Sequence, residues 1–455
     1  MQSNAKLKRS NRTYSNSKGI TLIALVVTIV VLLMLAGVTL NALFNENGIL
    51  TKSKNAGNIM EDAKKSDLDA INDLDKWIDE KTGNEDSEPT KISTIIGTAV
   101  DKNTKVEDAY GNKITIPKGF KILPHGTEDG SATYNYTNPE ATGEHIPAVQ
   151  DGIVIEDTQT ETLGNQFVWV PVGTIKNKDN TTSTITLGRY SDFTAQNGVY
   201  TPVQSAANYT ATTLEKVKAE DTTATAYGVG KYYYELNEKF TGNAATDSTA
   251  QNATARDLTT FIETTQANGG YYIARFEASK NTTTKRIESK YNKTVLGSIS
   301  QLEAAESARE MYGEVKENGK LIYASDLVNS YAWDTAIIFI QTYSTGEDAS
   351  TYAIQNKSTS FANTGKNADK YCNIWDMSGN AYELTTEYST EISGDQYLPC
   401  TSRGGAYESN VGELTGKTAG RGSDLSLFRN NGLYWYAYFT LHKIAEDWGR
   451  VNYFV

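Results

Sequence analysis

Few side chains in this chain are spaced for covalent chemistry. The cysteines are Cys372 and Cys400, and the histidines are His125, His145 and His442, with no two histidines at a metal-ligand spacing. Each histidine reads as a lone surface or core residue. Glu446 and Asp447 are adjacent carboxylates and read as solvated charges. No Ser-His-Asp arrangement and no phosphate-cradling glycine loop stands out. The residues suited to binding are more conspicuous. Leu433-Tyr-Trp-Tyr-Ala-Tyr-Phe439 alternates, so a single strand would turn Leu433, Trp435, Ala437 and Phe439 one way and Tyr434, Tyr436 and Tyr438 the other. A tyrosine row offers a large amphipathic contact area at low entropic cost. Tyr407, Asn410, Asn430 and Asn431 are further candidates for that face. The competing reading buries both faces between layers.

These residues must be carried to wherever they act, and the first segment sets the compartment. Ile20 to Phe44 carries no charge and as an α-helix would be roughly 37 Å long, enough to cross a bilayer. Lys6, Lys8, Arg9, Arg12 and Lys18 precede it, which keeps that end cytoplasmic and places the rest outside. In an oxidising exterior Cys372 and Cys400 are expected to pair as a disulfide; two unrelated buried thiols are the alternative. A net charge of −12 over 455 residues argues against a nucleic-acid partner. The 28 tyrosines and 36 glycines suit a β-rich exterior module.

The remaining chain divides by composition and period. Residues 1–19 form a basic leader, and 20–44 the apolar helix. Residues 45–82 continue as an amphipathic stalk, with Leu68, Ile71, Leu74 and Ile78 on one stripe. Residues 83–97 are a breaker-containing linker. From 98 to 455 the period shifts to two. Lys113–Leu123, Gly152–Glu156 and Gln166–Val172 read as strands, and Pro171 marks a strand end or an edge. Residues 174–265, rich in Thr, Asn, Ala and Ser, read as an insertion of loops and small helices. Asn329–Gln341 reads as a helix with Asp334 in its first turn.

Two resemblances add to this. Ser17-Lys18-Gly19-Ile20-Thr21-Leu22-Ile23 resembles the type IV prepilin signature, which implies cleavage between Gly19 and Ile20 and association with other pilin subunits. The family usually has Glu at the fifth mature position; this chain has Ala24, which removes an assembly contact. Further on, Tyr272-Ile-Ala-Arg-Phe-Glu277, Tyr331-Ala-Trp-Asp-Thr-Ala336, Asp376-Met-Ser-Gly-Asn-Ala-Tyr-Glu383 and Arg403-Gly-Gly-Ala-Tyr407 resemble motifs of the formylglycine-generating-enzyme (sulfatase-modifying-factor) family. Trp448-Gly-Arg-Val-Asn-Tyr-Phe-Val455 matches the family's end in part. The resemblance implies a C-type-lectin-like fold. The expected fold class is therefore α+β: a long membrane and stalk helix, then a lectin-like domain with an insertion.

The same resemblance suggests an oxidase, and the sequence argues against it. The family's reactive cysteines follow the Arg-Gly-Gly segment, and between Arg403 and Val455 there is none. The histidines do not suit the family's iron-binding branch. No catalytic residue and no cofactor is expected. Asn380 and Glu383 stand where family members can hold a structural calcium ion; the competing reading gives Asn380 a left-handed turn and pairs Glu383 with Arg403. The chain also resembles lectin-like ligand-binding proteins diversified by retroelements, whose variable stretch corresponds here to Ala406–Trp448. The leading expectation is a pilin-anchored, surface-displayed binding protein or adhesin with an unknown protein or glycan ligand. The alternatives are a membrane-tethered oxidase and a structural minor pilin.

Overall fold

The computed structural model describes residues 89–124, 146–208, 215–218, 232–235 and, with short breaks, 253–407, 417–424 and 435–443. The chain separates into two units, Met1–Glu88 and Pro89–Val455, and the described residues all belong to the second. The leader, apolar helix and stalk, including Gly19 and Ile20, lie outside the described residues. No described helix is long and apolar enough to cross a membrane.

Two sheets build the domain. The seven-stranded sheet runs in spatial order Glu314–Glu317, Lys320–Leu327, Phe439–Lys443, Gly270–Ala274, Gln166–Pro171, Val154–Asp157 and Phe120–Ile122. Its centre is buried on both faces: every residue of Gly270–Ala274 is buried, as are Phe167 to Pro171. That is why these segments are continuously apolar rather than alternating. Pro171 closes its strand, opposite Gly270 and beyond the last pair with Val154–Asp157, so its missing N–H leaves no gap in that ladder. The expected Lys113–Leu123 strand is two strands. Pro117 to Gly119 turn the chain, with Phe120 N–H bonded to Pro117 O, and Lys113–Ile116 joins a separate three-stranded sheet with Thr104–Glu107 and Thr90–Lys91. Thr90–Lys91 thus belongs to the body of the domain, although it falls within the expected linker.

The second sheet has six strands. Glu215–Lys218, Tyr232–Glu235, Tyr382–Ser393, Gln396–Arg403 and Gly422–Asp424 follow one another, and Trp435–Ala437 lies parallel to Tyr382–Leu384. Its first two strands come from the segment read as an insertion, which therefore completes the sheet.

Three helices pack on these sheets: α1 (Leu258–Asn268), α2 (Gln301–Tyr312) and α3 (Ser330–Tyr343). α2 opens on a capping box, Ser300 with Glu303, a signal present in the sequence. α3 is capped by Asn329, whose side chain accepts from Ala332 N–H (3.0 Å). Ser330 to Gln341 are all buried, and the helix packs against both Gln166–Pro171 and Tyr382–Ser393. A helix apolar on nearly every side belongs in such a place. Asp334 is not in the first turn, where the sequence reading put it, but is the fifth helical residue, just past that turn.

Candidate functional site

Asp334 is the entry to an ion network built from five separate parts of the chain. Three arginines meet two carboxylates: Arg189, Arg403 and Arg421 with Asp334 and Glu387, none more than 5 % exposed. Arg421 spans both acids. Its Nη2 donates to Asp334 Oδ2 (2.6 Å) and its Nε to both Glu387 oxygens (3.0 Å each). Arg189 pairs with Glu387, and Arg403 pairs with Asp334 and approaches Glu387 Oε2 at 3.5 Å. Backbone groups complete the set: Tyr190 N–H donates to Asp334 (2.9 Å), Arg421 Nη1 to Tyr190 O (3.1 Å) and Arg403 Nε to Gly420 O (2.9 Å).

The electrostatics follow from this crowding. Burial works to raise the Glu387 pKa, but Arg421, Arg189 and Arg403 outweigh it and hold the carboxyl down to about 2. Glu235 stands next to the network and accepts from Ser330 N–H (2.8 Å), Ser330 Oγ (2.6 Å) and Thr386 Oγ1 (2.6 Å). Burial dominates there, and despite Arg189 its pKa rises to about 7. The network holds together Gly188–Arg189, α3, Tyr382–Ser393, Gln396–Arg403 and the Gly420–Arg421 segment.

Above the chain order of that network, the carboxy-terminal segments are fixed at their ends. Tyr407 N–H donates to Asn380 O (3.1 Å) and Ala406 O accepts from Asn356 Nδ2 (2.8 Å). Thr418 N–H donates to Gln355 O (3.0 Å), Thr418 Oγ1 to Ser378 Oγ (2.7 Å), and Trp333 Nε1 to Thr418 O (3.1 Å). Both described ends of 408–416 are therefore tied to 355–356 and 378–380. The ends of 425–434 are strands Gly422–Asp424 and Trp435–Ala437 of the same sheet. Tyr407 is half-buried, its ring 5.6 Å from that of Phe361, which is 39 % exposed.

Of the binding residues expected from sequence, Tyr407 is described in full, half-buried beside Phe361. Asn410, Asn430, Asn431, Tyr434 and Tyr438 lie outside the described residues. The backbone of Tyr436 pairs with Glu383. The continuous strand expected over Leu433–Phe439 is divided: Trp435–Ala437 joins the six-stranded sheet and Phe439–Lys443 the seven-stranded one, between Gly270–Ala274 and Lys320–Leu327. One alternation therefore does not run through all three tyrosines.

The disulfide expected between Cys372 and Cys400 is absent; the two cysteines are not joined. Cys372 and Asn373 form the left-handed turn (φ 47° and 62°) of the hairpin Lys370–Tyr371/Ile374–Trp375, against Gly152. Cys400 sits within the six-stranded sheet, paired with Tyr388 and Asp424. Burial, with Asp151 nearby, pushes the Cys372 thiol up, which disfavours the nucleophilic thiolate.

A second buried cluster surrounds the Ser378-Gly379-Asn380 turn. Glu277, Asp369, Asp376 and Glu383 are each at most 1 % exposed. Asn380 (φ 59°) takes the expected left-handed turn, and its side chain donates to Glu277 and accepts from Ala362 N–H. Glu383 does not pair with Arg403, as the competing reading had it: neither of its carboxyl oxygens has a hydrogen-bond partner among the described residues, while Arg403 is drawn to Asp334 and Glu387. Burial, aided by neighbouring carboxyls, pushes Glu277 and Glu383 well above the usual carboxylate range, and raises Asp369 to about 7 and Asp376 to about 8. Among the described residues no three His, Cys, Asp or Glu side chains are grouped to hold a metal ion.

Arg189, Glu235, Glu387 and Arg421 were not legible as a site. The charge itself was the available signal, since an arginine inside an otherwise β-type run must find a partner when buried. Comparison with family models, curated proteins and solved structures gives no match for this chain.

Proposed function

We propose that this protein is a surface-displayed binding protein, anchored by its amino-terminal apolar helix and presenting a ligand-binding face from its carboxy-terminal region. In this reading a peptidase cuts between Gly19 and Ile20, the helix stays in the membrane or joins other pilin subunits, and the ligand is a protein or a glycan. No catalytic step is assigned. The observation that supports the reading is the anchoring of segments 408–416 and 425–434. The described residues at the ends of 408–416 are bonded to 355–356 and 378–380, those at the ends of 425–434 are strands of one sheet, and the two segments carry Asn410, Asn430, Asn431 and Tyr434. A scaffold that pins the ends of two asparagine-bearing segments, the second also carrying Tyr434, tolerates change in their middles.

The experiment replaces Tyr434, Tyr436 and Tyr438 together by Ala in the full chain and measures attachment of expressing cells to arrays of glycans and surface proteins. Loss of attachment with unchanged near-UV circular dichroism supports the binding role. Unchanged attachment favours a structural minor pilin.

A further inference from the structure

One stretch runs against the acidic character of the chain. Lys280, Lys285, Arg286, Lys290 and Lys293 stand in sequence with a single acid, Glu288. Folding sharpens the imbalance: Glu288 is 5 % exposed, whereas Lys285, Arg286 and Lys293 are exposed and Lys290 half-buried. A second basic segment is fastened alongside. Asn292 N–H donates to Thr364 O (2.8 Å), Lys293 N–H to Thr364 Oγ1 (2.9 Å), and Thr364 Oγ1 to Lys290 O (2.5 Å). This segment adds the exposed Lys366 and half-buried Lys370, while its own acid, Asp369, is fully buried.

Aromatic rings join the two. Lys366 Nζ lies 4.6 Å from the Tyr291 ring and donates to its hydroxyl (2.7 Å); Lys370 Nζ lies 5.8 Å from the Trp375 ring. Phe276 sits between, 6.1 Å from Tyr291 and 6.3 Å from Trp375, so the two lysines stand at opposite ends of one aromatic run. Two carboxylates reach this face, Glu161 to Arg286 (3.0 Å) and Glu288 to Lys290 (2.7 Å). Thr282, Thr283, Thr284, Asn292 and Asn363 are also exposed here.

We propose that this face binds an anionic polysaccharide. Lysines meet its sulfate or phosphate groups, and the threonine and asparagine side chains meet its hydroxyls. Clustered cations on a chain of net charge −12 steer the encounter of a polyanion toward this strip. A protein partner would favour an apolar centre, whereas the exposed side chains of this strip are cations, hydroxyls and amides apart from Glu161, which is paired with Arg286. The proposal rests on residues other than those assigned to the carboxy-terminal face and does not depend on that assignment.

The test uses the full chain in neutral detergent against immobilised dextran sulfate, with neutral dextran as the blank. The triple variant Lys285→Glu, Lys293→Glu, Lys366→Glu should bind at least about tenfold more weakly and with a shallower salt dependence, because fewer counterions are released. Lys102→Glu with Lys105→Glu, around the Thr104–Glu107 strand, should bind as the parent does. The proposal is overturned if the parent does not bind, if the triple variant binds normally, or if the control pair loses as much. It is also overturned if duplex DNA or polyglutamate at equal charge displaces the chain as well as dextran sulfate does.

Discussion

Arg421 and Asp334 meet at 2.6 Å inside the domain, joining a carboxy-terminal segment to the most buried helix of the fold. Asp334 shares its other oxygen with Arg403, and Arg421 reaches on to Glu387. Each charge is thus offset by a neighbour from a different segment. Such a network adds little over a well-packed apolar core, but removing one member strands its partner without solvent.

Replacing Asp334 by Ala should therefore destabilise the domain by about 3–5 kcal/mol, since Arg403 and Arg421 would each lose a buried anionic acceptor. Arg421→Lys should also lose stability, because an ammonium cannot span Asp334 and Glu387 as the planar guanidinium does. Urea denaturation monitored by tryptophan fluorescence reads both. An Arg421→Lys protein as stable as the parent would remove the bridging role.

Acid should weaken the same network. The three arginines hold Glu387 at about 2, below its unfolded value. The stabilisation is complete above that unfolded value, near pH 4, and is lost as pH falls toward 2. Melting temperature should fall across that window, and a Glu387→Gln variant should start lower and show a flatter acid limb.

At higher pH the other buried cluster takes over, with the opposite sign. Glu277, Asp369, Asp376 and Glu383 are raised above their unfolded values, so their neutral forms favour the fold. That contribution is full below about pH 4 and declines as pH rises, through about 7 for Asp369 and about 8 for Asp376. Glu383→Gln keeps the shape without the charge and should raise the melting temperature at pH 8 relative to pH 5. A calcium titration at pH 8 separates the alternatives, since bound calcium would stabilise the parent and not Glu383→Gln.

Gly152 offers a steric test. Its φ is 78°, and a Cβ there would lie 1.8 Å from the backbone oxygen of Cys372. Gly152→Ala should cost about 1–3 kcal/mol or more, combining left-handed strain with displacement of the hairpin turn. Thermal unfolding measures it; an unchanged midpoint would show that the turn can move away freely.

The two cysteines give a chemical count. Both thiols should titrate with a thiol reagent in denaturant, and a reductant should leave the melting temperature unchanged. One or no reactive thiol would restore the disulfide.

The sequence alone determined the elements that depend on near neighbours. Apolar runs bounded by turn residues marked Val154–Asp157 and Gln166–Pro171, and an apolar segment behind Asn329 marked α3, because strand and helix periods and caps are local properties. The left-handed turn at Asn380 was legible for the same reason. Tertiary structure decided what depends on distant partners. It separated Cys372 from Cys400, put Trp435–Ala437 and Phe439–Lys443 in different sheets, drew two strands from the expected insertion into the six-stranded sheet, and sent Arg403 to Asp334 rather than Glu383. A buried charge must find an opposite charge wherever the fold brings one, and Arg189 and Glu387 are 198 residues apart along the chain.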